Sequence, residues 1–259
     1  MMPSTDFSVL IPARFASIRL PGKVLLDIHG KPMIVRVVEQ ALQSHARSVV
    51  VVTDHHEIYR AVKDYGYAAL MSCQVHQSGS DRLAEAVHLL KLPEQAMIVN
   101  VQGDEPGIAP QLINQVAQQL QQSQGMMSSA CCPLENSAAM FDSNVVKVVL
   151  DQQQQALYFS RAPIPYARDA FAQGQDKLPE GLPVYQHIGI YAYRVKFLHH
   201  YSTLSCCALE QFEALEQLRV LWHGYRISLS IVPSPIFPSI DSAEDLVRFN
   251  QLWQNHQLA

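Results

Sequence analysis

Three basic side chains follow the first apolar segment of the chain within ten residues. Residues 7–11 read FSVLI, and the overlapping sequence IPARFASIRLPGK carries Arg14, Arg19 and Lys23. In open α/β sheets, ligands bind beyond the carboxyl ends of the strands, and arginine forks match phosphate oxygens. Neither GxGxxG nor GxxxxGKS/T occurs here. The segment therefore predicts a polyphosphate site that is neither a dinucleotide fingerprint nor a Walker loop. A solvated basic loop is the open alternative.

Two aspartates stand at predicted ends of secondary structure. Asp104 follows the apolar run 97–101 in the sequence QGDEP, and Asp241 precedes the last helical pattern. Mg²⁺ is typically bound by one or two carboxylates together with substrate phosphates and water, so this pair is a candidate metal site. Each aspartate also has a structural alternative. Asp104 fits a turn rich in glycine and proline, and Asp241 with Glu244 fits a helix capping box.

Several polar residues interrupt apolar segments in the second half of the chain. Arg161 follows a short predicted strand, and His187 opens another. Glu213 and Gln217 are four residues apart in a predicted helix over residues 209–221, and this spacing puts them on one helix face. We treat these side chains as candidate ligand contacts, with structural hydrogen bonds as the alternative. The opposite face is expected to be core and consists of Leu209, Phe212, Leu215 and Leu218.

Strand-like and helix-like patterns alternate along the first half of the chain. Residues 48–53 are a β-branched run without polar alternation, which is typical of a parallel strand covered on both faces. We predict an α/β fold with a Rossmann-like, mostly parallel central sheet flanked by helices, and a smaller dimerisation element. No linker divides residues 1–259, so one domain is expected. An irregular element is expected roughly within 160–205, because residues 162–184 contain four prolines and two glycines.

The composition argues against several classes of protein. The 259 residues are 48% hydrophobic and carry a net charge of −4, whereas general nucleic-acid binders are usually basic. The first residues lack the basic and apolar regions of a secretory signal. No apolar run reaches the ~18 residues of a membrane-spanning helix. The five cysteines show no CxxC spacing and are expected to be reduced thiols. We therefore expect a cytoplasmic protein without membrane insertion.

Eight segments of the chain, taken together and in this order, resemble the CMP-Kdo synthetases over nearly the whole length. They are IPARFASIRLPGK, HQSGSDRLAEAV, IVNVQGDEP, VKVVL, ALYFSRAPIP, HIGIYAYR, LEQLRVL and IDSAEDL. The resemblance implies a single nucleotidyltransferase domain that forms a homodimer. It also implies transfer of CMP from CTP to 3-deoxy-D-manno-octulosonate (Kdo), giving CMP-Kdo and pyrophosphate for lipopolysaccharide biosynthesis.

The resemblance also implies roles for individual residues. The CTP phosphates would be bound by Arg14, Arg19 and Lys23. The cytosine and ribose would lie near Gln77, Ser78, Gly79 and Arg82. Mg²⁺ would be held by Asp104 and Asp241. The sugar acid would be surrounded by Gln102, Arg161, His187, Tyr191, Glu216 and Gln217.

Further expectations concern the dimer interface and the alternative functions. The apolar residues Phe197, Leu198 and Tyr201 are the expected dimer interface. One alternative function is a cytidylyltransferase for another acidic sugar, such as sialic acid or an amino-Kdo. A second alternative is a catalytically silent nucleotide-binding protein of the same fold. The intact set of charged residues argues against the silent protein.

Overall fold

The computed structural model of the chain describes residues 5–16, 20–72, 76, 79–123, 125–234, 237 and 239–257. The strands in these ranges are β1 (Phe7–Ala13), β2 (Asp27–Ile28), β3 (Lys31–Pro32), β4 (Ser48–Thr53), β5 (Ala69–Met71), β6 (Met97–Asn100), β7 (Met127–Pro133), β8 (Lys147–Leu150), β9 (Ala156–Ser160), β10 (Tyr185–Arg194) and β11 (Ile227–Ile231). The helices are α1 (Met33–Leu42), α2 (His56–Asp64), α3 (Gly79–Leu89), α4 (Pro110–Gln122), α5 (Ser137–Phe141), α6 (Arg168–Phe171), α7 (Val195–Tyr201), α8 (Ala208–Glu213), α9 (Gln217–Trp222) and α10 (Ala243–Gln257).

The chain divides into two compact units. The first consists of Met1–Gln118, Ile190–Ser202 and Pro235–Ala259, and the second of Gln119–Gly189 and Thr203–Ser234. Each unit is assembled from separate stretches of chain, so the division does not follow a linker. The single domain over residues 1–259 stays a prediction.

The first unit contains a mainly parallel sheet. Strand β1 pairs in parallel with β4 on one side and β6 on the other, β5 extends the sheet beyond β4, and the last residues of β10 run antiparallel to β6. Helices α1, α2 and α3 pack against these strands. Strand β1 continues past Pro12 because its pairing with β6 ends at Leu10, so the missing N–H breaks no bond on that side. The predicted α/β class with a mainly parallel sheet flanked by helices is confirmed.

Two packed regions of the first unit bear on the site. Helix α10 packs into a buried apolar cluster that consists of Ile28, Met33, Ile240, Phe249 and Trp253. Because Ile240 belongs to this cluster, the chain is fixed just before Asp241. Helix α7 packs against α3. The expectation that Phe197, Leu198 and Tyr201 form a dimer interface is wrong, because all three are at most 2% exposed. Their apolar side chains form the inner face of α7.

The second unit has its own strand pairings. Strand β7 pairs in parallel with β11, whereas β8 runs antiparallel to β9 and to the first residues of β10. The segment 162–184 is largely irregular, as predicted, and contains only the short helix α6. It is nevertheless anchored, because Phe171 and Val184 are buried with Leu134 and Met140.

The predicted helix over residues 209–221 is wrong. The structure has two short helices, α8 and α9, because Ala214 adopts the left-handed conformation (φ 50°) and ends α8. Glu213 and Gln217 therefore do not share a helix face. Leu215 and Leu218 are buried as expected, but Phe212 is 90% exposed.

Two further findings concern environment. No helix in the described ranges combines the length and apolar character needed to span a bilayer. Of the cysteines in these ranges, Cys131, Cys132 and Cys207 are buried and Cys206 is exposed, and all four are free thiols. Cys131 is a core residue with no exposed surface, and burial raises the pKa of its thiol to about 12.

Candidate active site

The basic loop, residues 14–23, begins where β1 ends. Arg14 is exposed, and the ring of Phe15 stacks on the imidazole of His55 with 4.0 Å between centroids. The loop closes at Gly22, whose N–H donates to the Phe15 carbonyl at 3.2 Å and whose φ of 65° favours glycine. This turn places Lys23 at the start of a 3-10 turn. Arg19 lies outside the described residues.

Lys23 lies between two carboxylates. Its Nζ donates to Asp104 Oδ2 at 2.5 Å and to Asp241 Oδ1 at 2.9 Å, and also to the Ile240 carbonyl at 3.1 Å. These bonds match the three N–H donors of an ammonium group. Burial lowers the pKa of Lys23, but the carboxylates of Asp104 and Asp241 outweigh burial, so the pKa is raised above its ordinary value. We call these three charged residues the Lys23 cluster.

The position of Asp104 depends on the glycine before it. A Cβ at Gly103 would lie 3.2 Å from the Pro12 carbonyl oxygen, so a side chain there would press on the end of β1. The Asp104 carbonyl also accepts the Ile240 N–H at 3.1 Å. The next residue, Glu105, has its pKa raised to about 8 by burial and by the charges of Asp104 and Asp241. Near pH 7 the Glu105 carboxyl is therefore mostly protonated, and the negative charge at this place comes from Asp104 and Asp241.

Asp241 is not the helix cap that its spacing with Glu244 allowed. The start of α10 is capped by Ser242 and Asp245 instead: Ser242 Oγ accepts the Asp245 N–H at 3.1 Å, and Asp245 Oδ2 accepts the Ser242 N–H at 2.9 Å. The Asp241 carboxylate faces Lys23. The capping alternative is wrong for Asp241 because a neighbouring pair already satisfies the helix terminus.

The Lys23 cluster has the ligand chemistry of a magnesium site. Asp104 and Asp241 converge on one nitrogen, so a single cation can contact both carboxylates. Mg²⁺ prefers hard oxygen ligands and often takes only one or two carboxylates when phosphates supply the rest. No group of three or more His, Cys, Asp or Glu side chains suited to a metal occurs in the described ranges. A metal held here would therefore depend on substrate oxygens.

Arg82 is buried in the first unit and hydrogen-bonded to two neighbouring residues. Its guanidinium donates to Ser72 Oγ at 2.8 Å and to Asp54 Oδ2 at 2.9 Å. Burial raises the pKa of Asp54, but Arg82 outweighs it, so the pKa is lowered. The spacing of Asp54 and Glu57 is that of a capping pair, but the Asp54 carboxylate accepts from Arg82. Its position directly after β4 was the signal for a role at the sheet edge. Gly79 is the first residue of α3, and Gln77 and Ser78 lie outside the described residues.

Gln102 and Tyr191 belong to the first unit. Tyr191 lies opposite Asn100 in the antiparallel pairing of β10 and β6, and Gln102 follows two residues later along the chain. Both Gln102 and Tyr191 are half-buried. The Asn100 side-chain oxygen is buried and accepts no hydrogen bond from the residues described. Sequence reasoning missed Asn100 because an asparagine at the end of an apolar strand carries no motif.

Arg161 belongs to the second unit and is held by main-chain oxygens. Its Nε donates to the Glu213 carbonyl at 2.6 Å, Nη1 to the Ser143 carbonyl at 2.8 Å, and Nη2 to the Ala214 carbonyl at 3.5 Å. Within the described ranges no carboxylate forms an ion pair with this guanidinium. Its positive charge is therefore bound by neutral groups.

The other predicted sugar contacts of the second unit lie on different elements. His187 in β10 is hydrogen-bonded to Ser129 Oγ at 2.9 Å and packs edge-on against Phe159. Burial lowers the pKa of His187 to about 3, so the imidazole is neutral near pH 7. Gln217, the first residue of α9, is 4% exposed, and Glu216 directly precedes it and is half-buried.

Comparison with known proteins identifies the family of the chain. Residues 8–227 match the family described as cytidylyltransferase. The chain is 50% identical over 250 residues to a protein from Neisseria meningitidis serogroup A named 3-deoxy-manno-octulosonate cytidylyltransferase, covering 96% of this chain and 99% of that one. A protein of the same name from Neisseria gonorrhoeae strain NCCP11945 is 51% identical over the same shares of the two chains.

Two solved structures are similar to this one. One is described as CMP:2-keto-3-deoxy-manno-octonic acid synthetase complexed with CTP, with a TM-score of 0.88 and 38% identity over 97% of this chain and 99% of that chain. The other, a cytidylyltransferase from Leptospira borgpetersenii, has a TM-score of 0.60 at 14% identity over 99% of this chain and 96% of that chain, and so supports the fold alone.

Proposed function

Because this chain belongs to the cytidylyltransferase family, we propose that it transfers CMP from CTP to Kdo, giving CMP-Kdo and pyrophosphate for lipopolysaccharide biosynthesis. The observation that carries the proposal is the Lys23 cluster, in which two carboxylates meet one cation just beyond the strands of a mainly parallel sheet. Relatives that share half of their residues with this chain over 96% of its length are named for this reaction.

The nucleotide falls to the first unit in this proposal. Arg14, Arg19 and Lys23 bind the CTP phosphates. The residues near the cytosine and ribose are Gln77, Ser78, Gly79 and Arg82. The oxygen of the anomeric hydroxyl forms a bond to the α-phosphorus and its proton passes to solvent, while the bond from the α-phosphorus to the bridging oxygen of the β-phosphate breaks and pyrophosphate leaves with that electron pair. Cations placed where this charge develops lower the barrier more than they stabilise the bound substrate.

We assign Mg²⁺ to Asp104 and Asp241. When bound, the metal would neutralise phosphate charge and polarise the α-phosphate. The assignment is supported by the contacts of both carboxylates with one Lys23 nitrogen, at 2.5 and 2.9 Å. The Lys23 nitrogen marks the point on which the two carboxylates converge, and the hydrogen bond between Ile240 and Asp104 holds the two chain segments in place.

The sugar acid is bound by residues whose side chains can hydrogen-bond to its carboxylate and its hydroxyls. These are Gln102, Arg161, His187, Tyr191, Glu216 and Gln217. The assignment is supported by the Arg161 guanidinium, which no carboxylate neutralises among the residues described. A further support is the carboxamide of Gln217, which has no hydrogen-bond partner in the described ranges although the residue is buried.

The activity assay is direct. Purified protein with CTP, Kdo and Mg²⁺ is expected to release pyrophosphate, whereas ATP is expected to be a much poorer donor because a pocket matched to one base leaves polar groups unpaired with another. A panel of sialic acid and amino-Kdo separates the acidic sugars. If pyrophosphate is released with another sugar but not with Kdo, that other sugar is the acceptor. Absence with every sugar would refute the activity.

We also propose a homodimer in the cytoplasm. The homodimer is supported by large apolar side chains of the second unit that remain exposed on elements in contact with one another. They are Leu157 (59% exposed), Phe212 (90%) and Trp222 (60%). Apolar side chains exposed together are a common mark of an interface, and a second copy of the chain presents the same surface, as a two-fold dimer requires.

Sedimentation tests the dimer. The unsubstituted protein is expected to sediment as a dimer at micromolar concentration, and Phe212→Ser with Trp222→Ser is expected to give the 29.0 kDa chain. The control is Leu42→Ser, which removes an exposed apolar side chain from the first unit and is expected to leave the dimer intact. A 29.0 kDa species from the unsubstituted protein would contradict the dimer.

A further inference from the structure

One carboxylate of the second unit organises the surroundings of Arg161 without touching its guanidinium. Glu213 Oε1 accepts the Ser160 hydroxyl at 2.6 Å, and Glu213 Oε2 accepts the Arg161 main-chain N–H at 2.9 Å. The Glu213 carbonyl in turn accepts Arg161 Nε at 2.6 Å. Side chain and main chain of one residue thus fix the backbone and the side chain of Arg161.

The end of helix α8 makes this arrangement possible. Ala214 turns into the left-handed conformation, so the last carbonyls of the helix are not needed by a following turn. Two of these oxygens, on Glu213 and Ala214, accept guanidinium N–H groups. The C-terminus of a helix carries partial negative charge and attracts a cation without neutralising it fully.

Lys147 fixes the other side of Arg161. Its Nζ donates to the carbonyls of Asp142, Val145 and Arg161 at 2.8, 2.6 and 2.7 Å, and the residue is fully buried. Both main-chain polar groups of Arg161 are therefore hydrogen-bonded. Burial lowers the pKa of Lys147, with the Asp142 and Glu213 charges opposing this effect and the Arg161 charge adding to it.

The guanidinium keeps capacity for an anion. A guanidinium has five N–H donors, and three are used by carbonyl oxygens. The remaining two, one on each terminal nitrogen, have no acceptor in the described part of the chain. Bidentate binding of a carboxylate needs two such donors and a guanidinium held in a fixed orientation.

We propose that Glu213 is a positioning residue, which sets Arg161 to bind the carboxylate of the sugar acid. This inference rests on the proposed function, because the anion is taken to be the acceptor sugar. Ser160 and Lys147 support the same geometry. Glu213 does not contact the sugar, so its removal acts only through Arg161.

The chain supplies a matched control on the same helix. Glu210 forms a two-bond ion pair with Arg219, at 2.8 Å to Nε and 2.5 Å to Nη2. Glu210→Gln and Glu213→Gln therefore each remove one carboxylate charge from α8 with little change of shape. In the Glu210 variant Arg219 loses the charge of its carboxylate partner. In the Glu213 variant the Arg161 guanidinium keeps its three carbonyl partners, but the Arg161 main-chain N–H loses its charged acceptor.

The experiment measures the KM for Kdo, the KM for CTP, kcat and the melting temperature. Glu213→Gln is expected to raise the KM for Kdo about tenfold and to leave the KM for CTP within about twofold, the scale of one lost charge-assisted hydrogen bond. Ser160→Ala is expected to act in the same direction by about threefold, and it serves if Glu213→Gln does not fold. Glu210→Gln is expected to lower the melting temperature without a selective change for Kdo.

A double variant identifies the route of the effect. Glu213→Gln combined with Arg161→Ala is expected to have the KM for Kdo of Arg161→Ala alone, because residues that act through one group are not additive. Additive effects, or an equally selective change in Glu210→Gln, would overturn the inference. An unchanged KM for Kdo in Arg161→Ala would overturn the inference about Glu213. The proposed function would still be supported if the unsubstituted protein released pyrophosphate. No pyrophosphate from the unsubstituted protein would refute both.

Discussion

The Lys23 cluster and the surroundings of Arg161 differ in the groups that bind the cationic side chain. Lys23 is held by two carboxylates, so the cluster has two negative charges and one positive charge. Arg161 is held by three carbonyl oxygens and has no ion-pair partner in the described ranges. The first region therefore has an excess of negative charge, and the second keeps a positive charge.

This difference indicates which ligand each region suits. An excess of carboxylates over cations favours a further cation, as expected of a site for Mg²⁺ with a polyphosphate. A guanidinium bound by neutral dipoles favours an anion, as expected of a site for a sugar acid. Counting positive residues along the sequence does not separate the two cases, because their partners come from distant segments.

The largest expected effect comes from reducing the negative charge of the Lys23 cluster. Asp104→Asn and Asp241→Asn are each expected to lower turnover at least ~100-fold, the scale of losing a strong electrostatic contact in the transition state. Both variants are expected to fold, since asparagine is nearly isosteric with aspartate. Steady-state kinetics at saturating Mg²⁺ measures the loss.

Ser242→Ala is the control for this pair. It removes the cap of α10 beside Asp241 and is expected to cost about 1 kcal/mol of stability while turnover stays within a few-fold. Full activity of Asp241→Asn would show that Asp241 has no part in a metal site. The Lys23 cluster would then not be the metal site that its negative charge suggests.

A smaller effect is expected from Gln217, a neutral residue assigned to the sugar. Gln217→Ala is expected to weaken Kdo binding by roughly 1–3 kcal/mol and to leave CTP binding nearly unchanged, because a hydroxyl of the sugar loses its partner. The KM for Kdo, the affinity for CTP and the melting temperature are measured on the same variant. Equal losses for both substrates with a lower melting temperature would make Gln217 a structural residue.

The last expected effect is on stability rather than on turnover or binding, and it concerns the neutral imidazole of His187. Its pKa in the folded protein is lowered to about 3 from an ordinary 6.5, so below pH 6.5 the unfolded chain binds a proton that the folded protein does not. The contribution of His187 to stability is complete above pH 6.5 and is lost as the pH falls toward 3. The slope is at most about 1.4 kcal/mol per pH unit.

Thermal unfolding between pH 7 and pH 4 tests this effect. His187→Gln is expected to flatten the loss of stability on acidification, since glutamine can still bond to Ser129 but does not titrate. His199→Gln, at an exposed position of α7, is the control and is expected to follow the unsubstituted protein. Parallel acid profiles for all three proteins would show that His187 is not held neutral.

Much of the fold and part of the site follow from the sequence alone. The unbroken β-branched run over β4 predicts a strand covered on both faces, and Pro32 with Met33, Val37 and Ala41 predicts α1, whose three apolar side chains are fully buried. Local patterns of this kind depend on residues that are near one another in the chain. Asp104 was found the same way, because it lies in the short turn after a buried strand.

Only the tertiary structure decided the partners of these residues. Asp241 and Glu244 had the spacing of a cap, but Ser242 and Asp245 cap α10, so Asp241 faces Lys23 more than two hundred residues away in sequence. The left-handed conformation of Ala214 ends α8 inside the predicted helix, and the carbonyls of Glu213 and Ala214 accept hydrogen bonds from Arg161. Periodicity and spacing describe one segment at a time, whereas hydrogen bonds and burial depend on which segments meet.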